Sequence, residues 1–272
     1  MTAEETLPFA DWLRLREPAD AAARAEDLLD AVRARLTGET PTVIHDLGSG
    51  TGSMSRWLAA RLSGPQHWVL HDRDADLLAR AAAGMVGVTA ADGAPVTVHT
   101  RCGDLTRLTA ADLADGSLVT ASALLDMLTA EEVERVVAAC VGRPALFAVS
   151  VTGRARFTPA DPLDEAVEAA FNDHQRRTVE GRRLLGPDAV AATVAAFARR
   201  GVDVRERPSP WRLGPEQADL AAEWFRGWLG AACEQRPDLA GPAEAYARRR
   251  LADAAAGRLT VLVEHTDLLA GG

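Results

Sequence analysis

The sequence predicts an α/β domain built on a mostly parallel sheet with helices on both faces. Three observations predict it. Short apolar runs alternate with helical patterns from Thr42 to about Gly153. The first run leads directly into three glycines at alternate positions and then into a helix. Acidic residues recur where successive runs end, and open parallel sheets bind their ligands beyond the carboxyl ends of their strands.

Taken in order, residues 7–36 read as helices, with Leu28, Leu29, Val32 and Leu36 on one apolar stripe, closed by Gly38 and Pro41. The first strand covers 42–46, and its helix runs from about Ser53 to Leu62. A second strand, His67–Leu70, ends at His71-Asp72, and its helix covers Asp74–Met85. The third, Val96–Arg101, ends at Gly103-Asp104. The fourth, Ser117–Ala121, precedes a helix beginning after Thr129, and the fifth, Ala145–Val151, ends at Thr152-Gly153. Strands joined through helices of this length imply right-handed crossovers.

Residues 154–186 read as a polar, arginine-rich connector. A helix at 188–200, a strand at Asp203–Arg207, helices at roughly 215–234 and 238–256, and a last strand at 258–265 follow. The expected division is an N-terminal helical cap, 1–40, and a main domain, 41–272, in which 154–186 and 212–257 cover the ligand end of the sheet.

Composition narrows the partners. At 272 residues and 47% hydrophobic content the chain can bury a large core, and no apolar run reaches the length needed to span a bilayer. The opening Met1-Thr2-Ala3-Glu4-Glu5 is acidic and unlike a signal peptide, so a cytoplasmic location without a membrane partner is expected. The net charge of −9 argues against a nucleic-acid partner. All 30 basic residues are arginine, which excludes lysine Schiff-base or lysine general-base chemistry. Cys102, Cys140 and Cys233 are far apart and are expected to be buried apolar thiols. Neither they nor the histidines show metal-ligand spacing, so no metal site is expected.

The most informative stretch is Val43-Ile44-His45-Asp46-Leu47-Gly48-Ser49-Gly50-Thr51-Gly52. Its glycines let backbone amides approach a ligand closely, and Asp46 ahead of them favours a cationic or amino-bearing one. A dinucleotide fingerprint starting at Gly48 would need its third glycine at position 53, which is Ser53. The pattern Asp46-x-Gly48-x-Gly50-x-Gly52 resembles motif I of the class I S-adenosylmethionine-dependent methyltransferases.

That resemblance implies a Rossmann-like, seven-stranded, mostly parallel sheet, here with N-terminal helices and a helical insertion between strands six and seven. It implies S-adenosyl-L-methionine as cofactor. Asp46, Gly48, Ser49, Gly50, Thr51 and Gly52 would then lie at its methionine part, and Asp72 with Arg73 at its ribose. Asp104 and Leu105 would meet the adenine, and Ser122 opens the segment that lines the space between cofactor and acceptor. The residues themselves allow this: a carboxylate ending strand two can accept both ribose hydroxyls, although Asp72 or Asp74 could instead cap the next helix. Cys102 would line the adenine pocket by packing alone.

The acceptor half is less legible. The Asn/Asp-Pro-Pro-Tyr signature of amino methylation on nucleobases is absent. Asp126, in Ser122–Leu128, could act as a base or orient an amine, or simply cap the following helix. His174, in Phe171-Asn172-Asp173-His174-Gln175-Arg176-Arg177, is the leading candidate for a base if the connector covers the acceptor site; otherwise it faces solvent. His265 beside Asp267 is a lesser candidate. An arginine of Arg14-Leu15-Arg16 could pair with the cofactor carboxylate, or form surface salt bridges. Trp211, Trp224, Phe225 and Trp228 are either core or an aromatic wall for an apolar or planar acceptor.

The expected function is methyl transfer to a small-molecule nucleophile by in-line displacement, a reaction that needs positioning more than it needs a metal or a base. The alternatives are a non-catalytic S-adenosylmethionine-binding regulatory or scaffold protein and, against the glycine spacing, an NAD-dependent oxidoreductase. The acceptor atom and the oligomeric state are not written in the sequence.

Overall fold

A chain that lays down its strands outward from the sheet centre, then crosses back, leaves a crevice where the direction reverses. In the computed structural model, which describes residues 7–36 and 41–271, that crevice is where the predicted acids gather. Gly38, expected to help close the N-terminal helices, lies outside the described residues. Helices α1 (Phe9–Ala23) and α2 (Glu26–Arg35) precede β1 (Thr42–Leu47), α3 (Ser53–Ala59), β2 (Gln66–Asp72), α4 (Ala75–Gly84) and β3 (Val96–Cys102). Two short 3₁₀ turns, not a full helix, link β3 to β4 (Leu118–Ser122). Then come α5 (Ala130–Cys140), β5 (Ala145–Thr158), α6 (Asp164–Gln175), a hairpin of β6 (Thr178–Val179) with β7 (Arg182–Arg183), and α7 (Ala189–Ala198). The chain finishes with β8 (Val204–Pro208), β9 (Trp211–Leu213), α8 (Ala218–Gln235), α9 (Ala240–Ala255) and β10 (Thr260–Ala270).

The main sheet runs β3-β2-β1-β4-β5-β10-β8, with β9 also paired to β10. Strands β1 to β5 are mutually parallel, while β10 is antiparallel to β5, β8 and β9. β1 and β4 are neighbours, so the switch point lies between their carboxyl ends.

Alternation along the strands sorts side chains to two faces. Ile44, Leu118, Leu146 and Leu269 enter one apolar cluster with α2, α3, α6, α8 and α9. Leu47, Val119, Phe147 and Leu268 enter a second with α5 and α7. Helices therefore cover both faces, as the sequence pattern predicts.

Three expectations need correction. Among the described residues the sheet has eight strands, not seven, because Trp211–Leu213 pairs with β10 beyond the end of β8. Residues 154–186 are not a plain connector: β5 continues through Thr158 because β10 supplies a partner along its whole length, and α6 and the β6–β7 hairpin follow. Cys102 is exposed, unlike the buried Cys140, whose thiol burial pushes up to about 12, and the half-buried Cys233. Edge strand β3 has no following helix to cover its end. Among the described residues no helix is long and apolar enough to cross a membrane.

Candidate active site

Each of Gly48, Gly50 and Gly52 has a positive φ, at +63°, +51° and +83°. A side chain there would be strained, and a Cβ on Gly48 would sit 2.9 Å from Leu124 Cδ1. Gly52 serves packing: its Cβ position lies 3.2 Å from Ala81 Cβ of α4. Its amide donates to Ser49 O at 2.8 Å, closing the turn that launches α3. Arg56 donates to Thr51 O at 2.5 Å and pairs with Glu17 of α1 at 2.6 Å, tying the turn to the N-terminal helix.

A cavity of about 650 Å³ opens over this turn. Asp46, Gly48, Ser49, Gly50, Asp72, Arg73, Asp104, Leu105 and Ser122 all contribute to its wall, so the structure brings together nearly every cofactor residue expected from the sequence. Thr51 and Gly52 stand behind the wall and shape the turn, and Cys102 is not part of the lining.

The acids differ in their surroundings. Asp46 is 1% exposed; one carboxylate oxygen accepts from Thr120 Oγ1 at 2.8 Å, and the other has no hydrogen-bond partner. Burial pushes its carboxyl up to about 7, against the Thr120 bond. Asp72 accepts the Gly50 amide at 2.8 Å and the Asp74 amide at 3.0 Å. Asp74 is the residue that caps α4, accepting from the amides of Asp76 and Leu77. Asp104 accepts the Thr106 amide at 2.9 Å, a bond that holds its carboxyl below the usual range. Ser122 and Ser53 share the buried Arg24, at 3.4 Å and 3.2 Å.

Helix α1 closes the other side. Phe9, Trp12, Leu13, Arg16 and Asp20 line the same cavity. Arg16 pairs with Asp20 through two bonds of 3.0 Å and 3.1 Å, and its guanidinium lies 4.8 Å from the Trp211 ring centre. Trp211 Nε1 also donates to Asp20 at 2.9 Å. Arg14, by contrast, is exposed and paired with Asp11. The β6–β7 hairpin adds Glu180 and Arg182 to the wall, anchored where Arg182 grips Glu132 at 2.6 Å and 2.8 Å. Glu132 in turn completes the capping box of α5 with Thr129.

A second cavity, of about 530 Å³, shares Phe9, Trp12, Arg16, Ala123 and Asp126 with the first. Its remaining walls come from the middle of β5 and of β10, from β9, and from α6 and α8, and include Phe171, Trp211, Trp224, Trp228 and His265. Trp224 and Trp228, one helical turn apart, are stacked at 5.6 Å. Asp126 is half-buried between the cavities, and loss of water pushes its carboxyl up to about 6. His265 is 4% exposed with Nδ1 unpartnered, and burial lowers its basicity to about 3.

His174 is not brought to the site. It lies outside both linings, with Nε2 3.1 Å from Glu234 on α8. Phe171 and Gln175 of α6 reach the cavity wall, whereas the His174 ring is engaged by Glu234 of the neighbouring α8. Sequence reasoning missed Phe9, Trp12 and Leu13, whose apolar spacing on α1 is the only sign of them, and it missed Glu180 and Arg182, which nothing local marks. Among the described residues no group of three or more His, Cys, Asp or Glu could hold a metal ion.

No family model matches the chain, and no curated protein matches it. Among solved structures, the cyclopropane synthase MmaA2 from Mycobacterium tuberculosis aligns over 96% of this chain and 94% of its own, at 14% identity and a TM-score of 0.51. A SAM-dependent methyltransferase from Thiobacillus denitrificans in complex with S-adenosyl-L-homocysteine aligns over 98% and 100%, at 16% identity and a TM-score of 0.46. One from Geobacter sulfurreducens, also in complex with S-adenosyl-L-homocysteine, aligns over 94% and 96%, at 16% identity and a TM-score of 0.44. At 14% identity the likeness to MmaA2 is one of fold. The chain shares with MmaA2 a Rossmann-like α/β architecture.

Proposed function

We propose that the chain is an S-adenosyl-L-methionine-dependent methyltransferase acting on a small molecule. The observation that carries this reading is the pair of cavities meeting at Ala123 and Asp126 beyond the ends of β1 and β4. One has the glycine turn and the acids of a cofactor site, and the other is an aromatic chamber with room for an acceptor.

The residues fit the cofactor. The unpartnered oxygen of Asp46 suits its amino group, and the lack of side chains on Gly48 and Gly50 leaves the turn open to its methionine part. Asp72 keeps lone pairs for the ribose hydroxyls beyond the two amides it accepts. Asp104 and Leu105, with Arg73 on the same wall, suit the nucleoside end, and Ser122 lines the space toward the acceptor. Ser49 lines the turn, while Thr51 and Gly52 hold its shape. When bound, this cofactor supplies a methyl group activated by a positive sulfur. The chain's own part is to hold an acceptor beside Asp126, to exclude water with Phe9, Trp12 and Leu124, and to take up a proton at Asp126.

The aromatic chamber favours turnover over a purely regulatory binder, whose acceptor space would be filled by side chains. The acidic balance favours a small molecule over nucleic acid, and the free thiols suit a cytoplasmic setting. The test is calorimetric titration with S-adenosylmethionine and NAD(H), then a metabolite screen for S-adenosylhomocysteine release. Binding of NAD(H) alone would overturn the reading, and binding of S-adenosylmethionine without turnover across the screen would favour the regulatory alternative.

A further inference from the structure

The acceptor-side chamber has a charge pattern that narrows its ligand. Three carboxylates reach its wall: Asp126, Glu223 and Glu264. Glu264 is paired with Arg156, and Glu223 with Arg226. Of the two arginines on the wall, Arg16 is held by Asp20, and Arg154 is exposed to solvent. Asp126 differs from the other acids. It accepts no hydrogen bond from another described residue, and it stands where the chamber meets the cofactor cavity. The same chamber wall is rich in π systems, among them Phe9, Trp12, Phe171, Trp224 and Trp228.

An unpaired carboxylate among aromatic rings is a poor place for an anion. A cation gains there from both the charge and the rings. We infer that this chamber binds a protonated amine carried on an apolar or planar body, with the ammonium against Asp126 and the body among the aromatic residues. A carboxylate ligand would face Asp126 with like charge, and the nearest cation, Arg16, is already committed to Asp20. A neutral hydroxyl could donate to Asp126, but without charge assistance from its own side it gains less. The inference deepens the proposed function by naming an acceptor class for its second cavity, yet it concerns binding and needs no turnover.

The test uses three probes of one shape: 2-phenylethylamine, 2-phenylethanol and phenylacetate, each titrated calorimetrically into the full chain near pH 7.5. The expected result is amine binding about tenfold or more tighter than alcohol binding, with phenylacetate weakest, the margin of one charge-assisted hydrogen bond. In Asp126→Asn the amine should fall to within about twofold of the alcohol, whereas Trp224→Ala should weaken both neutral and cationic probes. Equal binding of amine and alcohol by the native chain, an unchanged amine preference in Asp126→Asn, or no binding of any probe overturns the inference. If Asp126→Asn fails to fold, the ranking of the three probes by the native chain decides alone. Titration of S-adenosylmethionine into the same samples separates the two readings. Cofactor binding without amine preference overturns this inference only, and amine preference without cofactor binding overturns the proposed function only.

Discussion

Asp72 reaches back from the end of β2 to accept the Gly50 amide at 2.8 Å, so the acid of the second strand fixes the glycine turn of the first. The same carboxylate thus shapes one part of the proposed cofactor cavity and lines another. Asp72→Ala should weaken S-adenosylmethionine binding by about 30- to 100-fold, the scale of losing charge-assisted bonds. Calorimetry measures this directly, and unchanged affinity would remove the ribose assignment.

The turn itself should tolerate no side chain at Gly48. Alanine there meets Leu124 Cδ1 at 2.9 Å and must hold a φ of +63°. Gly48→Ala should cost about 1–3 kcal/mol in urea unfolding and reduce cofactor affinity. Adding Leu124→Ala should recover the steric part and leave the backbone part. A double variant no better than the single would show that the contact is irrelevant.

The proposed cofactor role of Asp46 sets function against stability. Its carboxyl stands near 7 in the folded chain against an ordinary 3.8, because burial penalises its charge. Below the ordinary value it is protonated folded and unfolded, and contributes no pH dependence. Between the two values only the unfolded chain ionises, so the native protein loses stability as pH rises toward 7. Asp46→Asn should therefore gain on the native protein progressively from pH 4 to pH 7, by on the order of 2–4 kcal/mol, and level off above. It should bind S-adenosylmethionine more weakly. Parallel unfolding curves at pH 4 and pH 8 would contradict this.

Asp267 is a buried joint. Its carboxylate accepts the Val149 amide at 2.7 Å and the Ala25 amide at 2.8 Å, linking β5, β10 and the junction of α1 with α2. Val149 is a β-branched residue held at a φ of +53°, a conformation that needs such support. Asp267→Ala should destabilise the chain by about 2–4 kcal/mol by leaving two amides without acceptors. Asp267→Asn, which keeps one acceptor oxygen, should lose less. Equal losses in denaturant unfolding would refute the hydrogen-bond account.

Much of the proposed cofactor half could be read directly from the chain. The apolar runs, the Asp46-to-Gly52 turn and the acids at strand ends are local patterns, and a parallel sheet places local patterns of this kind along one edge by construction. The choice of Asp72 over Asp74 for the cavity also follows from register, since Asp74 begins the helix and caps it. Tertiary structure decided what no local pattern encodes. It set Phe9, Trp12 and Arg16 of α1 against β10 and α8 residues more than two hundred positions away, and it made Asp126 the boundary between two cavities. It also turned His174 toward Glu234, because a residue's side of a helix has meaning only once the helix has something to pack against. The physical reason for the divide is range: turns and strand ends are fixed by neighbouring residues, whereas an enclosed chamber exists only when distant segments bury their apolar faces together.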